Sequence, residues 1–207
     1  MKMLEDLKAT NFKKYFILYI VTFCFFSIFK VVKVNLTIEY ICEIIFMIPA
    51  IYFICRIENP FSLEKIKQYS RIEKPVFPKL LVIIILTSIV VAKFAITIKA
   101  RYITKTLEPF SINQVLLFVV TFLVGGFFEE LLFKWGFYQE ITKTRISSFL
   151  SILIISLLFF LLHGQFGIYK FIATIVFQVF SLVAYKYYPN ILLFCFFHAL
   201  INISFFI

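Results

Sequence analysis

Apolar residues run almost unbroken along this chain and give way to polar ones only in short gaps. Stretches near 12–34, 36–56, 79–99, 111–140, 147–166, 168–187 and 190–207 are dominated by Phe, Ile, Leu and Val. Each is about the length a helix needs to cross a hydrocarbon layer of about 30 Å. A backbone in lipid must satisfy its own hydrogen bonds, so such runs predict helices. The predicted fold is all-α: a polytopic transmembrane helical bundle of about seven spans (six to eight), with any active site in a mid-membrane cavity. The first run lacks a small-residue cleavage site and is followed by further spans, so it reads as a retained helix and not a signal peptide. The longest polar interval, Arg56 to Lys79, contains Pro60, Pro75 and Pro78 and predicts a short interfacial helix. No repeat, low-complexity tract or linker divides the chain, so residues 1–207 read as a single integral membrane domain.

Composition sharpens this picture. The 207 residues are 62% hydrophobic and only 15% charged, whereas a soluble domain carries about 25% charged residues. A net charge of +10 would suggest nucleic acid in a soluble protein. Here the cations sit at span ends, where they set orientation and meet lipid headgroups, so no nucleic-acid partner is expected. A cytoplasmic N-terminus puts Lys2, Lys8, Lys13, Lys14, Arg56, Lys65, Lys67, Arg71, Lys74, Lys79, Lys143, Arg145 and Lys186 inside. Only Lys30, Lys33, Lys99, Arg101, Lys105 and Lys170 then fall outside, which favours that orientation. Cys24, Cys42, Cys55 and Cys195 lie in apolar runs without paired spacing and read as free core residues. Heavy use of Phe, Ile and Lys suggests an AT-rich bacterial genome, and hence a bacterial cytoplasmic membrane.

Against this background Phe127-Phe128-Glu129-Glu130-Leu131-Leu132-Phe133-Lys134 stands out. Ionisable groups at membrane depth cost about 2.5–3.5 kcal/mol each on insertion scales and mark function. Glu130 and Lys134 are four residues apart and can pair on one helix face, while Glu129 is rotated by about 100° and points elsewhere. Gly125 and Gly126 permit a bend or a close helix approach just before the carboxylates. His163 ends the run Phe159-Phe160-Leu161-Leu162, and His198 and Asn202 project from one face of the last helix. At a rise of about 1.5 Å per residue, Glu129 lies about 18 Å from a helix end near Ile141. His163 lies about 24 Å above Ser147, and His198 and Asn202 about 14 and about 20 Å above Pro189. The four groups can therefore share a mid-membrane layer; their arrangement around the bundle is not encoded in spacing. Each also has a plain structural reading, as an interhelical hydrogen bond or a satisfied buried pair. Lys93 reads as structural, snorkelling or paired with Glu39 or Glu43.

Glu129-Glu130-x-x-x-Lys134, Phe159-x-x-x-His163 and His198-x-x-x-Asn202 together resemble the type II CAAX prenyl endopeptidase family, also called the CPBP or abortive-infection family. That family's first motif ends in arginine where this chain has Lys134. The resemblance covers about residues 111–207; the N-terminal half contributes only hydrophobicity to it. It implies an intramembrane endopeptidase of the glutamate type, acting on a peptide or membrane-associated protein and needing no cofactor. Glu129 would be the general base, with His163 holding the attacking water. His198 and Asn202 would donate to the oxyanion, and Glu130 with Lys134 would clamp the catalytic helix. An alternative within the family is zinc held by Glu129, His163 and His198, whose side chains are legitimate ligands. Lysine is a point charge without arginine's fork, so Lys134 is expected to hold Glu130 less rigidly. Two other functions compete: a non-catalytic bacteriocin-immunity or partner-binding protein on the same scaffold, and a small proton-coupled carrier. The absence of an inverted repeat disfavours the carrier.

Overall fold

A computed structural model of the chain describes residues 11–32, 35–70, 85, 112–163 and 167–203. Among the described residues every regular element is helical: α1 (Phe12–Val31), α2 (Leu36–Ile57), α3 (Leu63–Ser70), α4 (Ile112–Thr142), α5 (Ser148–His163), α6 (Ile168–Tyr187) and α7 (Ile191–Ile203). The helices α1, α2 and α4 are long and apolar enough to cross a membrane, and α5, α7 and the 171–187 part of α6 are shorter apolar helices. Helices therefore lie at six of the expected spans, close to their predicted limits, three of them long enough to cross, and α3 occupies the interval where an interfacial helix was expected. The span expected at 79–99, with Lys93, lies outside the described residues except for Ile85, which is helical.

Local chemistry sets several helix starts. The Asn35 side chain accepts the Thr37 N–H at 2.9 Å, Ser147 accepts that of Leu150 at 3.3 Å, and Asn190 that of Leu193 at 3.2 Å. Each satisfies a donor that the first helical turn leaves orphaned.

The bundle is built around α4, which packs against α1, α2, α5, α6 and α7. Every residue from Phe128 to Tyr138 is buried, as an all-round apolar helix requires. The helix is not regular. It is π-helical over Phe122–Phe128 and again over Leu131–Tyr138, and the Glu129 N–H donates to the Val124 carbonyl five residues back. The two glutamates sit in the short α-helical joint between these stretches. Interruptions of this kind gather at functional sites, and a simple 3.6-residue period did not foresee them.

The N-terminal half, which contributes only hydrophobicity to the resemblance, holds the rest of the bundle by polar bonds as well as by apolar surface. The Asn11 N–H donates to Glu140 at 2.7 Å, and the Trp135 indole N–H to the Glu58 carbonyl at 3.0 Å. The Tyr19 hydroxyl donates to the Leu158 carbonyl at 3.0 Å, and its ring stands edge-on to Phe133 and Phe137. These bonds tie α1 and the end of α2 to α4 and α5, and so fix the azimuth of the glutamate-bearing helix.

Candidate active site

Glycine brings the last helix to the glutamates. A Cβ on Gly126 would lie 2.6 Å from the Ala199 Cβ, and one on Gly125 only 2.1 Å from Nδ2 of Asn202 and 3.9 Å from Nε2 of His198. Of the two roles open to this pair from sequence, the structure shows the close approach. It seats the Asn202 amide and the His198 imidazole against α4, about one turn from Glu129.

The two histidines then flank one carboxylate. Nε2 of His163 lies 3.7 Å from Oε1 of Glu129, and Nε2 of His198 lies 3.7 Å from Oε2. These separations are too long for direct hydrogen bonds and short enough for one water to bond both partners. Glu129 and His198 are buried, whereas His163 and Asn202 are only partly so; the cluster is therefore open on the His163 and Asn202 side.

The other ring nitrogens are engaged. The Phe159 carbonyl is 2.9 Å from Nδ1 of His163. It can only accept, so Nδ1 carries the proton and Nε2 turns toward Glu129. The Phe159 ring also packs on His163, with centroids 4.5 Å apart. The Phe-x-x-x-His spacing thus does two jobs, orienting the imidazole and walling it.

Nδ1 of His198 meets Oε1 of Glu130 at 2.7 Å, again with the nitrogen donating to a carboxylate. Oε2 of the same Glu130 is ion-paired with Lys134, and both side chains are buried. The Lys134 ammonium also lies 5.3 Å from the centre of the Phe194 ring, a cation–π contact from α7. The expected Glu130–Lys134 pair is present, but Glu130 is shared. It clamps α4 with one oxygen and orients His198 with the other. Spacing revealed the first role and not the second, because His198 is 68 positions away.

The structure brings Glu129, His163 and His198 together and places Asn202 beside His198, with Glu130 and Lys134 directly behind. By chemical type, Glu129, His163 and His198 could serve zinc. Among the described residues, however, no group of His, Cys, Asp and Glu is arranged to hold a metal ion.

A bundle of apolar helices enclosing carboxylates, imidazoles and an ammonium defines an integral membrane protein with a buried polar centre of the kind used for catalysis. Residues 111–204 match the family described as type II CAAX prenyl endopeptidase Rce1-like. At family level this supports a CAAX-protease-like intramembrane endopeptidase, a hydrolase, and the matched segment contains every residue of the cluster. No curated protein and no solved structure matches the chain.

Proposed function

We propose that the protein is a glutamate-type intramembrane endopeptidase that cleaves a peptide or membrane-associated protein at the bilayer. The observation that carries this reading is the placement of one carboxylate, Glu129, at 3.7 Å from each of two imidazoles. A water seated between Glu129 and His163 gives its proton to Glu129 as its oxygen attacks the acyl carbon. The oxyanion takes hydrogen bonds from Nε2 of His198 and Nδ2 of Asn202. Collapse of the tetrahedral intermediate passes the proton from Glu129 to the departing amine.

Charge balance supports this assignment. His198 can donate from both nitrogens only as imidazolium. In that form Glu129, Glu130, Lys134 and His198 sum to zero charge, the arrangement a low-dielectric site tolerates best. Zinc on Glu129, His163 and His198 would instead polarise the carbonyl. The amide of Asn202 suits an oxyanion donor better than a metal ligand. The N-terminus is placed in the cytoplasm, and the source membrane is read as a bacterial cytoplasmic membrane.

The test is comparative peptidomics of a deletion strain complemented with wild type or with Glu129→Gln, which is nearly isosteric. A peptide terminus present only with wild type, and still formed with a chelator present, supports the reading. An unchanged phenotype with both Glu129→Gln and His163→Ala refutes it in favour of a non-catalytic immunity or partner-binding protein.

A further inference from the structure

Apolar side chains facing lipid are ordinary in a membrane helix. A hollow between two helices is not, because the contacts it forfeits have to be restored by something. Helices α1 and α2 enclose such a hollow, a groove of about 610 Å³, the size of an ordinary ligand site. Its walls include Leu18, Val21 and Phe25 of α1 and Ile45, Pro49 and Phe53 of α2, and every lining residue is apolar. Leu18 and Ala50 are buried in its floor, while Val21, Ile45 and Phe53 are exposed, so the groove opens sideways from the bundle. Water does not fill an apolar hollow of this kind; a hydrocarbon chain does.

Both walls run into a cation. Lys14, Leu18, Val21 and Phe25 follow one another at steps of four, three and four residues, and Ile45, Pro49, Phe53 and Arg56 at steps of four, four and three. Each set therefore lies along one face of its helix. The two cations stand at the same end of the bundle, because the residues beside them meet the same part of α4. The Asn11 N–H donates to Glu140 at 2.7 Å, and Lys143 pairs with both Glu140 and Glu58. Those two carboxylates thus have Lys143 as their cation. Lys14 and Arg56 are exposed, and the groups they meet are neutral. The Asn11 amide oxygen is 3.0 Å from Nζ of Lys14, and the Tyr52 ring centre is 5.9 Å from the Arg56 guanidinium.

The length of the groove matches one leaflet. Eleven residues separate Lys14 from Phe25, and eleven separate Ile45 from Arg56, about 16 Å of helix in each case. That is close to half of a hydrocarbon core of about 30 Å. At that depth Phe25 stacks on Phe46, with ring centres 4.2 Å apart and planes at 11°, and bridges the two helices.

We propose that this groove binds one anionic phospholipid, with an acyl chain laid between α1 and α2 and the phosphate held by Lys14 and Arg56. The site is independent of the peptidase reading.

Native mass spectrometry tests it, on the full-length protein released from nanodiscs that hold equal amounts of palmitoyl-oleoyl phosphatidylglycerol and phosphatidylcholine. The two lipids share their chains and differ in headgroup charge. One bound lipid should remain, with phosphatidylglycerol preferred at least about fivefold, the worth of one lysine or arginine beside an anionic surface. In Lys14→Gln/Arg56→Gln the preference should fall to parity, whereas Lys13→Gln/Lys186→Gln, exposed cations off the groove faces, should keep it. Val21→Phe/Ile45→Phe enlarges two exposed rim side chains and should cut the retained lipid severalfold; melting temperatures in detergent check that each variant is folded. Equal retention of the two lipids by wild type overturns the proposal, as does an equal loss of preference in the two lysine-bearing variants. Undiminished retention in Val21→Phe/Ile45→Phe overturns it in favour of a groove covered by another part of the chain, and a lipid-free dimer in favour of a second copy.

Discussion

Gly125→Ala puts one methyl group at the point where α4 and α7 approach. Its Cβ would lie 2.1 Å from Nδ2 of Asn202, whereas ordinary contact begins at 3.4 Å. The amide must therefore retreat by more than an ångström. A misplacement of about 1 Å can cost about 10²-fold, and loss of one oxyanion donor costs about 10²–10³ in kcat, or about 2.7–4 kcal/mol. The expected result is a fall in kcat of that size with little change in KM. The assay follows release of the peptide terminus that the Glu129→Gln comparison identifies, with purified protein in nanodiscs. Gly167→Ala is the control: a Cβ there meets nothing within 4 Å, and the backbone φ of 176° is extended. Gly126→Ala is a different perturbation, because its Cβ would meet the Ala199 backbone and the Cys195 carbonyl at 3.1–3.3 Å and should loosen the helix pair as a whole. Wild-type kcat in Gly125→Ala, or an equal loss in Gly167→Ala, would refute the reasoning.

Glu130→Gln leaves the buried Lys134 ammonium without its counter-ion and should destabilise the protein by about 3–5 kcal/mol, read by thermal denaturation in detergent; near-wild-type stability would deny the clamp. Gly136→Ala would put its Cβ 2.7 Å from the buried Tyr15 ring, so overpacking of about 1–3 kcal/mol is expected in the same assay. Lys143, just beyond α4, is partly desolvated, which lowers its pKa. The hydrogen bond to Glu140 and the charges of Glu140 and Glu58 outweigh that and raise it above the ordinary value of 10.5. A folded pKa above the unfolded one stabilises fully below pH 10.5, and the effect is lost as pH rises through the folded value. Unfolding temperature should hold up to that pH and then decline, and Lys143→Met should abolish this component of the decline; the effect is small because the ammonium is half exposed.

What the sequence determined by itself was local or one-dimensional. The apolar runs specified the helices, since hydropathy and length are properties of a single segment. Spacing specified the Glu130–Lys134 pair and the shared face of His198 and Asn202, and axial rise put four chemical groups at one depth. The three motifs drew the resemblance that the match over residues 111–204 supports.

The tertiary structure alone decided which faces meet. Helices in lipid gain no hydrophobic preference for one another over acyl chains, so azimuth depends on close packing and a few polar bonds. Here the contacts of Gly125 and Gly126 with α7, of Gly136 with Tyr15, and the bond from Tyr19 to Leu158 set it. The π-helical stretches around Glu129 and Glu130, the division of Glu130 between Lys134 and His198, and the unpartnered amide of Gln178 all depend on those crossings. A lone glutamine in the apolar run 168–187 was a visible signal, but its lack of a partner is a fact about its neighbours, and they are brought together only by packing.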